Sequence, residues 1–425
     1  MSANNPKKTK KRLLIVSPFL SQSGYGVHSR DIVNAMLDYE EFDVACAALN
    51  WGEMSWISPI PETYRGAIEK WTNWQKNSIV PDCVVCNTMP NEYAEYKVPA
   101  HVVKHKIPFI GFTAGIECHL VPPKWIPAVN NTCDALVVPS KHSAKGFYNT
   151  IALNTITKQD EVIRPSVYIV PESISIPIKQ PDVKYREFLW GKLDASLKTE
   201  KNLLTISTFA ERKNLWQLIL LFLKQVPKDI GLIIKTTLST DSLQGAKKLY
   251  DTMYFELENK FGIPIDEIEG RITIIHGSLS EEELYWLYKY PKINGYISST
   301  SGEGYGLPFL EAASVGLPVI ATNWSGHLDF LNLKPNNWIP LPYQLQSVAE
   351  FSPNSIWKDV IMPGMNWAYV QDEDIMAGIE LLYNDLDGWR QKAGELSQVV
   401  NETLNKDVVY KKIRETIVKI FVDKT

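Results

Sequence analysis

The residues of this chain best equipped for chemistry lie in the run GEGYGLPFLEA, residues 302–312. Gly302, Gly304 and Gly306 permit tight turns and close approach to a ligand, because glycine has no Cβ to stand in the way. Pro308 suits a first helical turn, so a helix is expected to start here and to end at Gly316. Such a start presents the unpaired N–H groups of Gly304, Tyr305, Gly306 and Leu307 with the positive end of a helix dipole, which together make a site for phosphate. Glu303 and Glu311 have seven residues between them, one acid in the loop and the other a turn into the helix. Two carboxylates serving a hydrolase would have to face one scissile bond. These two reach different parts of a ligand and suit hydrogen bonds to two sets of sugar hydroxyls, with phosphates held between.

Cations for those phosphates stand elsewhere. Lys213, between Arg212 and Asn214, sits at a helix start after a strand end, where it can neutralise a diphosphate. Lysine supplies a mobile point charge and arginine a two-pronged fork. Lys235 is a further cation at a strand end. In the first third of the chain, SQSGYG places Gly24, Tyr25 and Gly26 in a turn after a strand, but the third glycine of a dinucleotide fingerprint is replaced by Ser29. Glu117 and His119 follow the strand-like IPFIGFT. They lie two apart, so spacing leaves open which of them faces a ligand.

The elements that must position these groups read as alternating strands and helices, which implies parallel, doubly wound sheets. RLLIVSPF (12–19), FDVACAALN, DCVVCNTM (82–89), IPFIGFTAG (107–115) and DALVVPS (134–140) form a first set. Residues 51–81 are rich in Trp and Pro, with a helix expected near 64–76. After the proline-rich stretch 167–181, a second set runs through NLLTISTF (202–209), GLIIKTT (231–237), ITIIHGS (272–278) and NGYISST (294–300), with helices at 243–261 and 281–290. Ser280 and Glu283 form a capping-box signature at the latter. Residues 331–370 show no regular period, and helical patterns resume from DEDIMAGIELLYNDL to the end. The expected organisation is a flexible basic tail (1–11), an N-terminal domain (12–180), a C-terminal domain (181–405) and a last helix (406–425). Ligands in such sheets sit at the carboxyl ends of the strands.

The GEGYGLPFLEA segment resembles the Glu-x7-Glu motif of retaining nucleotide-sugar glycosyltransferases of the GT-B fold, family 4 in particular. The resemblance implies an α/β fold of two Rossmann-like domains facing a central cleft, the acceptor bound mainly to the first and the nucleotide-sugar donor mainly to the second, with the last helix crossing back to the first domain. It gives Glu303 to the transferred sugar and Glu311 to the ribose. It places Gly24, Tyr25 and Gly26 under the donor phosphates, and His276 and Gly277 where the backbone meets the base. Glu117 or His119 would lie close to the reacting sugar, with Glu117 preferred. Ser325, Gly326 and His327, in the turn after PVIAT, would lie near that sugar or the acceptor. VVPSKHSAKGF is similar to the family's Val-Pro-Ser turn. One departure stands out: where the family has a second cation upstream of the lysine, this sequence has Ser207 and Thr208, leaving Arg212 or Lys235 to substitute.

The activity implied is transfer of a sugar from a nucleoside-diphosphate sugar, a UDP-sugar being the commonest case, to an acceptor hydroxyl with retention of configuration. No cofactor and no metal are expected: Lys213, Arg212 and loop N–H groups would take the metal's place, and no Asp-x-Asp of the kind that holds a divalent ion in the other major glycosyltransferase fold is apparent. A sugar-nucleotide epimerase of similar fold and a noncatalytic nucleotide-sugar or glycan-binding protein are the alternatives. The acceptor is left open among a saccharide, a lipid head group, a protein and a hydroxylated DNA base.

Composition bounds the rest. The 425 residues carry 44 Lys and Arg against 48 Asp and Glu, a net charge of −4, so no broad polyanion-binding surface is implied. The five cysteines, odd in number and set in apolar runs, point to reduced thiols and a cytoplasmic protein. Cys83 and Cys86 form a CxxC within a strand, with no second pair to complete a zinc site. The longest apolar run, LWQLILLFL at 215–223, is too short to span a bilayer. No cleavable signal follows the basic start.

Overall fold

The computed structural model of the chain describes residues 10–51, 61–98, 106–154, 157–237, 242–351, 357 and 359–425. Most of the expected basic tail, and residues 52–60 of the Trp- and Pro-rich stretch, lie outside them. Among the described residues no helix is long and apolar enough to cross a membrane.

Two six-stranded sheets, parallel throughout, carry the chain. In the first, the spatial order is Phe42–Ala48, Lys11–Ser17, Cys83–Asn87, Phe109–Phe112, Ala135–Val138, Ser166–Ile169. In the second it is Ile272–His276, Ile230–Thr236, Lys201–Ile206, Ile293–Ser298, Val319–Thr322, Ile339–Leu341. The runs LLIVS and NLLTI are buried at every residue, as strands covered on both faces must be. In both sheets the earliest strand lies between neighbours reached in opposite directions. A crevice therefore opens at the carboxyl ends of Lys11–Ser17 and Cys83–Asn87, and another at those of Lys201–Ile206 and Ile293–Ser298.

The first helix, Gly24–Leu37, begins at Ser23, whose hydroxyl accepts from the Gly26 N–H at 3.1 Å. Gly24, Tyr25 and Gly26 thus lie in a first helical turn rather than in the loop before it. Helix Val183–Ser196 opens the second lobe and packs on helix Glu281–Tyr288, with Trp190 Nε1 donating to the Trp286 carbonyl at 2.9 Å. The capping box of Ser280 and Glu283 is formed. The last helix, Lys406–Lys424, lies against the first: Arg414 Nε donates to the Ala35 carbonyl, and the Phe421 ring meets that of Phe42 edge-on at 5.5 Å. All five cysteines are buried and unbridged, and Cys83 and Cys86 both sit within a sheet strand.

Candidate active site

Lys201–Ile206 is followed by a single 3-10 turn, Glu211–Lys213, closed by Asn214 in the left-handed region at φ 53°. Asparagine tolerates that conformation better than most residues. Its side chain is held there by the Ser299 carbonyl at 2.7 Å and the Ser301 hydroxyl at 3.0 Å. The turn thereby aims Arg212 and Lys213 across the end of the neighbouring strand Ile293–Ser298, where the glycine loop begins.

Lys213 Nζ pairs with Glu303 Oε1, and Arg212 reaches Glu303 Oε2 at 3.3 Å and the Gly302 carbonyl at 3.1 Å. Thr300 donates to the same carboxylate at 3.1 Å. Burial alone would raise the Glu303 carboxyl, but the Lys213 and Arg212 cations outweigh it and hold the group at about 2. Burial, reinforced by the neighbouring Arg212 charge, draws Lys213 down from its ordinary value. Glu303 is thus a carboxylate at neutral pH, packed against two cations.

The loop then enters helix Leu307–Ser314 through Gly306, whose φ of 97° lies in the region glycine favours. Among the described residues none accepts a hydrogen bond from the Gly304, Tyr305 or Gly306 N–H. The side chain of Tyr305 is buried against Phe330, so its backbone is what the loop can offer a ligand. Glu311, a turn into the helix, accepts from the Tyr288 hydroxyl at 2.8 Å and from the Ser175 hydroxyl, and burial pushes its carboxyl up.

The first lobe closes on the loop from the other side. Ser140 and Ser143 donate to the Gly304 carbonyl at 2.7 and 3.3 Å. A Cβ on Gly304 would meet the Ala114 carbonyl oxygen at 2.1 Å, and one on Gly302 the Glu117 carbonyl oxygen at 2.3 Å. Glu117 Oε1 lies 2.8 Å from Arg212 Nε. His119 instead turns to the far side, its Nδ1 accepting from the Asn366 N–H at 3.0 Å. Of the two, Glu117 is the one that adjoins Arg212 and the glycine loop.

Other expected site residues are placed less uniformly. The Tyr25 hydroxyl lies 2.8 Å from Thr113 Oγ1, beside the strand end that leads to Glu117. A Cβ on Gly26 would strike the Ser21 carbonyl oxygen at 1.9 Å, whereas Gly24 has open space around it. Gly277 takes a φ of 100° after His276 at the end of the sheet's edge strand, two strands from Lys201–Ile206 and its crevice. Lys235 is paired in register with Ile206 and Ile275, one strand away from the Arg212 turn.

Ser325, Gly326 and His327 form the floor of the loop rather than an open face. Ser325 Oγ accepts from the Glu303 N–H at 2.8 Å, Gly326 N–H donates to the Glu303 carbonyl at 2.9 Å, and His327 is stacked on Phe309 at 4.5 Å. His327 Nε2 lies 2.7 Å from the Thr322 carbonyl, and burial lowers the imidazole to about 4. Ser140, in the VVPSKHSAKGF turn, caps the helix that follows; Ser175, which carries no local signal, is a group that sequence reading passes over.

The chain does contain Asp-x-Asp strings, Asp372–Asp374 and Asp385–Asp387, and both lie at helix starts: Asp372 accepts from Gln217, and Asp385 caps the Gly388 N–H. Among the described residues no three His, Cys, Asp or Glu side chains converge as a metal-binding group.

Residues 267–350 match the family described as glycosyl transferases group 1, a segment containing the glycine loop and both of its acids. No curated protein sequence matches the chain. Among solved structures, sucrose-phosphate synthase from Thermosynechococcus elongatus shares 14% identity at a TM-score of 0.66, covering 97% of this chain and 100% of its own. Anabaena HepE, in complex with UDP and glucose, shares 13% identity at 0.63, covering 96% and 100%. The trehalose-6-phosphate synthase OtsA shares 11% at 0.58, covering 97% and 99%. These likenesses concern the fold, which is GT-B. A glycosyl transferases group 1 segment set in that fold, with its glycine loop at the junction of the lobes, makes the chain a glycosyltransferase.

Proposed function

We propose that the chain moves a sugar from a nucleoside-diphosphate sugar, with UDP as the nucleotide, to an acceptor hydroxyl, retaining the anomeric configuration and using no metal. One observation carries the reading: Lys213 and Arg212 converge with Glu303 beside the N–H groups of Gly304–Gly306, for which the described residues supply no acceptor. That HepE, of like fold, binds UDP and glucose supports the choice of donor.

In the reaction, the bond between the anomeric carbon and the diphosphate oxygen breaks as the acceptor oxygen bonds to the same carbon on the same face. The acceptor proton passes to the departing phosphate oxygen. Negative charge gathers on the leaving diphosphate, and prearranged cations and N–H groups stabilise it without reorganising. Lys213 and Arg212 supply the charge, Glu303 takes the sugar hydroxyls and Glu311 the ribose. Glu117 positions Arg212. Family 4 is the assignment consistent with the seven-residue gap between the acids. Buried thiols support a cytoplasmic setting.

The test is release of UDP from a panel of UDP-sugars, with and without acceptors. Lys213→Ala and Glu303→Gln should each lower turnover by about a hundredfold or more, with far-UV circular dichroism retained. Activity within tenfold of wild type in either variant removes the assigned roles. A strong chelator should leave the rate unchanged; strict metal dependence would refute the mechanism.

A further inference from the structure

Next to the ion-paired centre lies a cavity of about 550 Å³ whose lining, among the described residues, shares only Arg212 with the groups assigned to the donor. Its walls are aromatic: Phe209 and Trp216 from the segment around the Arg212 turn, and Trp357 and Trp367 from the far side. Phe209 and Trp216 stand edge to face at 5.5 Å, and Trp357 is 59% exposed. The lining also holds Glu117 and Arg212, the latter ion-paired to Glu303 as well.

We propose that this cavity is the acceptor site and that it takes a neutral saccharide. Two features select that class. Broad aromatic faces match the apolar C–H faces of a pyranose ring, and the volume is in the range of a small-molecule site. The charge balance disfavours an anionic acceptor: Glu117 and Glu211 line the cavity, and the one cation in its lining among the described residues, Arg212, is the one assigned to the donor diphosphate. A phosphorylated head group or a nucleic acid strand would meet carboxylates with no cation to spare. A neutral sugar would instead find Glu117 and Glu211 as acceptors for its hydroxyls, and the Arg212 side of the cavity, next to Glu303, brings one hydroxyl towards the reacting centre. The inference rests on the glycosyl-transfer reading and names its acceptor.

Calorimetric titration of the full chain with methyl α-D-glucopyranoside, maltose and cellobiose, against glycerol 3-phosphate and a short single-stranded oligonucleotide, tests it. At least one neutral saccharide should bind, and Trp357→Ala should weaken that binding about tenfold, the loss expected for one aromatic contact. Because Trp357 is largely exposed, its truncation leaves the fold intact. Trp216→Phe should weaken binding less than Trp216→Ala. Binding of the anionic probes in place of the sugars, no binding of any sugar, or affinity unchanged in Trp357→Ala each overturns the assignment. A parallel titration with UDP separates the two readings. UDP binding without saccharide binding sinks the acceptor site alone, and saccharide binding without UDP binding sinks the nucleotide reading alone.

Discussion

Arg212 Nε and Glu117 Oε1, 2.8 Å apart, join the two lobes at the residue that also braces Glu303. One guanidinium thus reports to both sides of the cleft, using separate edges of its fork. A lysine at that position offers one nitrogen in place of the two that reach these carboxylates, and no fixed fork to hold them apart. Arg212→Lys should therefore keep the fold but lower turnover by roughly tenfold or more, and Glu117→Gln should do so less severely. Equal activity of Arg212→Lys and wild type in the UDP-release assay would show that the bridge has no part in turnover.

Lys213 and Glu303 are each almost wholly buried, so removing one partner leaves a charge with fewer compensating neighbours. Lys213→Met should cost about 3 kcal/mol of stability, and adding Glu303→Gln should return part of it. Thermal or denaturant unfolding of the two single variants and the double variant measures the coupling. Strictly additive losses would mean that the pair contributes no specific stabilisation.

How much of this could be read from the chain depends on the range of each interaction. Gly306 and Ser23 announce themselves locally, because a left-handed glycine before a helix and a serine N-cap are determined by immediate neighbours. Lys213 was legible for the same reason, as a cation at a strand end. Arg212 and Glu117, or Ser175 and Glu311, lie far apart in sequence and meet only once both lobes have formed, so nothing local predicts either pair. Helix Val183–Ser196 carries little sequence signal, because Leu189 and Leu193 are its buried residues, too few for an apolar stripe. Ser325–His327 are expected in a turn near the sugar or the acceptor, yet the loop above buries Ser325 and His327, and a Cβ on Gly326 would meet the Gly304 carbonyl oxygen at 2.0 Å.

Ser175, on the segment joining the lobes, holds the acid assigned to the ribose. Loss of its hydroxyl leaves the buried Glu311 carboxyl with one partner fewer, which should destabilise the ligand-free protein by about 1–3 kcal/mol. A ribose competing for the same oxygen would then bind a freer acid. Ser175→Ala should accordingly lower the melting temperature of the free protein and enlarge the shift that UDP produces. A smaller UDP shift in the variant would contradict the role of Glu311.

The pH dependence of stability follows from the buried imidazoles. Burial lowers His327 and His142 to about 4, while in the unfolded chain each takes up its proton near about 6.5. The unfolded state therefore binds more protons between those values. The stability this represents is complete above about pH 6.5 and is lost as pH falls towards 4. Glu303 adds a second loss between its ordinary value and about 2. Asp31, Glu172 and Glu311, raised by burial, act in the opposite sense and favour the fold on acidification. The contribution of His327 is isolated by comparing wild type with His327→Gln: wild type should lose roughly 2–3 kcal/mol more between pH 6.5 and 4. Parallel stability curves would show that the imidazole is not held neutral.

The glycines separate close approach from simple flexibility. Gly24 lies in the first turn of a helix with no atom within 4 Å of a would-be Cβ, so Gly24→Ala should be neutral or stabilising by up to about 1 kcal/mol. Gly304 is different, because a methyl group there would collide with the Ala114 backbone of the opposite lobe. Neither carbonyl can yield without parting the lobes, and Ser140 and Ser143 would lose their acceptor with them. Gly304→Ala should thus leave UDP binding to the second lobe largely intact while reducing transfer by about a hundredfold, since the acceptor side is no longer held against the donor. Calorimetry with UDP and the release assay, run on the same preparation, distinguish the two effects. A Gly304→Ala variant with unimpaired transfer would show that contact between the loop and Ala114 is not needed for the reaction.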